Sequence, residues 1–196
     1  MPQNDQPKKL QKIHSELMRR TYAEGFGERF VQKLGGFIEH VRIPSTVRTE
    51  TELELAVLPT LKAFIQRAFP RRKRKTPILY HHGTTTEEKH WWSRSKALQT
   101  VQLFGTNVSD MFIVHPRTGA IAVEFKYAKE TQGSVKLTSQ IQRAVGQSII
   151  ATLRHPFGIC AIVYRKPKKS LPEGKLKALK RSLWKKHRIY LVVRPQ

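Results

Sequence analysis

The sequence predicts an α/β protein, a mixed sheet flanked by helices in the order helix, three strands, helix, strand. Three observations predict it. Thr49 to Phe69 carries an apolar stripe at helix spacing. Met111 to Val114 and Ala120 to Tyr127 are apolar, β-branched or aromatic runs on either side of a Pro/Gly turn. Thr138 to Leu153 carries a second helical stripe, followed by the wholly apolar run Gly158 to Tyr164.

The elements follow in order. Residues 1–8 are polar and are expected to be disordered. From Lys9 to Arg42 the pattern is mostly helical, with Leu10, Ile13, Leu17 and Met18 at helix spacing. Gly25, Gly27, Gly35 and Gly36 are expected to break it into short pieces. Residues 1–45 therefore read as an N-terminal helical appendage, and 46–196 as the core domain with a basic C-terminal helix and strand. In the stretch from Thr49, both Thr49…Glu52 and Thr51…Glu54 match a capping box. Val57, Leu58, Leu61, Phe64, Ile65 and Ala68 form the stripe, and Glu54 lies on its face. Pro59 kinks a helix interior, so a strand over 52–58 is the competing reading. Thr84 to Glu88 reads as the opening of a further helix holding Trp91 and Trp92. Ala97 to Phe104 fits the first strand of the sheet. The second helix shows Ile141, Val145, Ile149 and Ile150 on one side. In the basic tail, Leu176, Leu179 and Leu183 mark an amphipathic helix, and Ile189 to Val193 is a last strand.

The hairpin at 111–127 has a definite register. Pro116 fixes one dihedral and Gly119 tolerates positive φ. Closed symmetrically about Arg117, Val114 faces Ala120, Phe112 faces Ala122, and Asp110 faces Glu124. Period-2 alternation puts Lys126 on the face of Glu124, and Ile121, Val123, Phe125 and Tyr127 on the core face. Two carboxylates roughly 5 Å apart repel by about 3 kcal/mol at an effective dielectric near 20. An ordinary cross-strand pair contributes only ~0.2–1 kcal/mol. The repulsion wins unless a cation lies between them, and carboxylate oxygens with waters suit Mg²⁺ or Mn²⁺.

Composition sets the partners. Lys and Arg number 37 against 14 Asp and Glu, a net charge of +23, which favours polyanions: DNA, RNA or an anionic membrane surface. The run Arg71, Arg72, Lys73, Arg74, Lys75, together with Lys129, Lys136, Arg143 and the tail cations from Lys175 to Lys186, is assigned to phosphate contacts. A solvated basic face is the plainer alternative. No apolar stretch approaches the ~20 residues needed to span a membrane. The single Cys160 implies no disulfide framework and fits a reducing cytoplasm. His81, His82, His90 and Cys160 match no zinc spacing. Trp91 and Trp92 suit base stacking or core packing equally well.

Asp at the start of one strand, Glu-x-Lys on the next, then a helix and a further strand resembles the PD-(D/E)XK nuclease superfamily. The resemblance covers roughly Thr49 to Tyr164 and implies a restriction-endonuclease-like αβββαβ core. It implies that Asp110, Glu124 and the backbone carbonyl of Phe125 hold the metal, and that Lys126 orients the attacking water or stabilises phosphate charge. A first-helix Glu maps to Glu54, and a second-helix Gln maps to Gln142 or Gln147. Ser109 stands where the motif's name has Pro, and no Gln-x-x-x-Tyr follows on the second helix. With a lone Cys, an iron–sulfur subtype is not indicated. The implied activity is Mg²⁺-dependent hydrolysis of DNA by an endonuclease, with duplex and branched substrates both open and a structure-specific or resolvase-like role as one option; a homodimer would suit cutting both strands. The chemistry is consistent, because a carboxylate-held cation makes a nucleophile at neutral pH and a nearby ammonium meets developing charge. The competing readings are a non-catalytic nucleic-acid-binding protein and an RNA-binding or ribosome-associated one, for which charge alone suffices. A salt-bridge ladder on a half-exposed strand is the alternative for Glu124 and Lys126.

Overall fold

A computed structural model describes residues 25–68, 78–81, 109–115, 119–128, 134–165 and 172–196. In chain order its elements are α1 (Phe26–His40), α2 (Glu50–Ala68), β1 (Ile78–His81), β2 (Met111–His115), β3 (Gly119–Ala128), α3 (Ser134–Thr152), β4 (Phe157–Tyr164), α4 (Glu173–His187) and β5 (Ile189–Pro195). The five strands lie side by side in sequence order. The pairs β1–β2 and β2–β3 are antiparallel, and β3–β4 and β4–β5 are parallel. Parallel neighbours need long crossovers, and α3 and α4 supply them. Both crossovers step in the same direction along the sheet, so a common right hand puts both helices on one face.

The opposite face carries α1 and α2, giving three layers. Strand alternation divides the core accordingly. Ile121, Val123, Phe125 and Tyr127 of β3 join Ile159, Ala161 and Val163 of β4 under Leu34, Ile38, Leu53, Val57 and Leu61. On the other side Cys160 and Ile162 meet Leu137, Ile141 and Ala144 of α3 and Leu183 of α4. The hairpin has the register its turn dictates: Val114 opposite Ala120, Phe112 opposite Ala122, ending at Met111 opposite Val123.

Two helices correct the expectations. Gly27, Gly35 and Gly36 do not break the N-terminal stretch; they lie inside α1. Each glycine costs about 1 kcal/mol against Ala, and burial of Phe30, Val31, Leu34 and Ile38 in the shared core outweighs it. At Gly35 the missing side chain is required, because a Cβ there would come within 2.6 Å of Tyr190 Cγ. The strand alternative over 52–58 falls to a helix that runs through Pro59. Pro59 and Leu55, whose carbonyl the proline cannot bond, are both exposed, so water can take that carbonyl while the buried stripe holds the helix straight enough to pack. Of the two capping boxes, Thr49…Glu52 is used: Glu52 N–H donates to Thr49 Oγ1 at 3.2 Å, and Thr49 N–H donates to Glu52 Oε2 at 3.2 Å. Glu54 is thereby left free for other work.

The ends are tied across the sheet. Arg194 on β5 donates to the carbonyls of Glu39 (2.8 Å) and Val41 (2.6 Å) at the end of α1. Strand β1 was not expected from the sequence. The expected strand at 97–104, the helix opening at 84–88 with Trp91 and Trp92, the polar start at 1–8, Arg71 to Lys75 and Lys129 lie outside the described residues, as does the side chain of Lys136. No helix among the described residues is long and apolar enough to cross a membrane.

Candidate metal centre

The site forms where β2 stops and β3 continues. The β2–β3 ladder ends at Met111 opposite Val123, while β3 remains paired with β4 as far as Ala128. Asp110, one step beyond the ladder, closes the gap with its side chain: Phe125 N–H donates to Asp110 Oδ2 at 2.6 Å. Past this clasp, Glu124 and Lys126 share one face of β3. Lys126 Nζ lies 2.7 Å from Glu124 Oε1 and 2.6 Å from Glu50 Oε1, and donates to the Phe125 carbonyl at 3.0 Å. Both Glu124 and Lys126 are 3% exposed.

Helix α2 contributes from its first turns. Glu50 and Glu54 are one helical turn apart and share a face, at the end where the helix dipole favours anions. Glu54 is 2.7 Å from His81 Nε2 at the end of β1. One oxygen each from Glu50, Glu54 and Asp110 lie within 4.8 Å of one another. Among the described residues this is the only group of three or more His, Cys, Asp or Glu side chains with such spacing.

The electrostatics follow from crowding. Asp110 is pushed up to about 8, first by burial and then by the charges of Glu124 and Glu54, against the pull of Lys126 and the Phe125 N–H. Glu124 is also raised, by burial above all and with help from Glu50 and Glu54, although Lys126 opposes it. Burial works to lower Lys126, but the charges of Glu124 and Asp110 outweigh it and hold the ammonium above its usual range. Glu124, Asp110 and Glu50 thus act together on one ammonium in a chain whose net charge is +23. Cys160, opposite Glu124 on β4, is buried, and its thiol is pushed up to about 12 by burial, so it stays protonated.

Of the residues picked out in the sequence, Asp110, Glu54, Glu124 and Lys126 come together here. The Phe125 carbonyl, expected as a ligand, accepts from Lys126. Gln147 on α3 is half-buried, with a buried Oε1 that has no hydrogen-bond partner. Gln142 and Arg143 are exposed. Sequence reasoning missed Glu50 and His81. Glu50 reads as an ordinary first-turn charge, yet its four-residue spacing from Glu54 could have marked a shared face. His81 carried no usable signal, since β1 itself was not legible. Comparisons with family models, with curated proteins and with solved structures find no match to this chain.

Proposed function

We propose that this chain is a divalent-metal-dependent nuclease with a restriction-endonuclease-like core, acting on DNA phosphodiester bonds as an endonuclease. The observation that carries the reading is the set of three carboxylate oxygens within 4.8 Å of one another, from Glu50, Glu54 and Asp110, set against the buried Glu124–Lys126 pair. The element order from α2 to β4 and the mixed sheet support the fold assignment.

The donor set fits Mg²⁺ or Mn²⁺, since it is all-oxygen and rich in carboxylate, with no thiolate. Glu50, Glu54 and Asp110 would hold the ion, with Glu124 beside them. When bound, the ion neutralises phosphate charge and generates hydroxide from water near neutral pH. Lys126 supplies the fixed positive charge on the chain's own side. Its two carboxylate partners keep it protonated, and its ammonium can meet negative charge growing on the phosphate. Exposed Lys177, Arg181 and Lys185 follow one ridge of α4, and with Arg143 they offer phosphate contacts outside the site.

The test is incubation with supercoiled plasmid, a four-way junction, single-stranded DNA and RNA, in Mg²⁺, Mn²⁺ or EDTA. Metal-dependent nicking that disappears in Asp110→Asn and Lys126→Ala is expected. Salt-sensitive binding without cutting under any metal would overturn the reading in favour of a non-catalytic nucleic-acid-binding protein. Cutting that survives both substitutions would overturn the site.

A further inference from the structure

We propose that His81 is a positioning residue that holds Glu54 in the orientation a cation ligand needs; this rests on the reading of the site as a metal centre. His81 Nε2 lies 2.7 Å from Glu54 Oε2; a carboxylate that binds a cation can only accept a hydrogen bond, so in that state Nε2 would be the donor. The contact is enclosed: His81 is 2% exposed and Glu54 9%. His81 stands behind the carboxylate rather than among the ligands. The three-carboxylate group contains Glu54 but not His81, so the imidazole would act through Glu54.

The placement of His81 makes it suited to this task. It pairs with Met111 in the β1–β2 ladder, and Met111 adjoins Asp110. The imidazole therefore bridges the strand layer that carries Asp110 and the helix that carries Glu50 and Glu54. A glutamate has three side-chain rotors, and one fixed donor on its carboxylate removes most of their freedom. The ligands on the helix and on the strand are thus held to one spacing before any ion arrives. Partners of this kind, behind a ligating side chain, typically change metal affinity by about 10–100-fold when removed.

The experiment is Mn²⁺ titration of the full chain, followed by calorimetry and by loss of the free-ion electron paramagnetic resonance signal. Wild type is compared with H81Q, H81N and H81F. A glutamine amide nitrogen can occupy the place of Nε2, whereas an asparagine amide is too short to reach it. H81N and H81F are expected to bind Mn²⁺ about 10–100-fold more weakly, and H81Q to lie nearer wild type than H81N does. Equal affinity in wild type and H81N, or equal losses in H81N and H81Q, would overturn the positioning role while leaving the metal centre intact. Failure of the wild type to take up Mn²⁺ would overturn the metal centre and this proposal with it. If H81F does not fold, the contrast between H81Q and H81N still decides.

Discussion

Replacing Lys126 with Met tests the electrostatic account most directly. The methionine keeps the apolar stem and removes the ammonium. Glu124, whose side chain is 4% exposed, then has no countercharge on its own strand, and Glu50 loses the same partner. Breaking a buried ion pair from one side costs about 3–5 kcal/mol. Unfolding entropy near 2.1 cal/mol/K per residue, over 196 residues, gives about 0.4 kcal/mol/K, so the melting temperature should fall by about 7–12 °C. The loss must depend on pH in a definite direction. Glu124 already has a raised pKa, led by burial, and removing Lys126 raises it further. As pH falls the carboxyl takes a proton and no longer needs a countercharge, so the drop at pH 5 should be well under the drop at pH 8. Thermal melts by circular dichroism in EDTA at the two pH values measure this. An unchanged melting temperature at pH 8, or equal drops at both pH values, would refute the reasoning.

Further outcomes follow from the same geometry. Asp110 ordinarily titrates near 3.8 and here near 8, so the native state keeps an extra proton between those values. Stability of the metal-free protein should therefore fall as pH rises through that window, and Mg²⁺, which needs the ionised form, should flatten the fall; melts with Mg²⁺ and with EDTA check this. Asp110→Asn should fold, because its amide oxygen can still accept the Phe125 N–H, but calorimetry should show Mn²⁺ binding lost. Gly35→Ala should destabilise by about 1–3 kcal/mol through overpacking against Tyr190, read by urea unfolding, with Mn²⁺ affinity unchanged.

The hairpin was legible because a tight turn and period-2 alternation leave a single register that buries Val123 and Phe125. Glu54 was legible as a face position on a stripe. Glu50 was not, because at sequence level a first-turn glutamate is already explained by the helix dipole. Its second role depends on Lys126 crossing from β3, a contact between residues 76 apart. Pro59 misled for a related reason. Local chemistry puts a kink there, but it sits on the solvent side of α2, and tertiary burial of Leu53, Val57 and Leu61 sets the helix instead. Glycine misled in α1 in the same way, since Gly35 serves the close approach of Tyr190 rather than a break.

The three contacts that assemble the site close very different stretches of chain. The Asp110–Phe125 clasp joins residues 15 apart, His81–Glu54 joins 27, and Lys126–Glu50 joins 76. Loop-closure entropy rises with the logarithm of length, so the longest of these costs about 1.4 kcal/mol more than the shortest. The hairpin clasp can form early and locally, carrying Asp110 and Glu124 but neither glutamate of α2. The group of three carboxylates is complete only when α2 docks, so a divalent cation held there would reward that docking and leave the hairpin's own formation unaided.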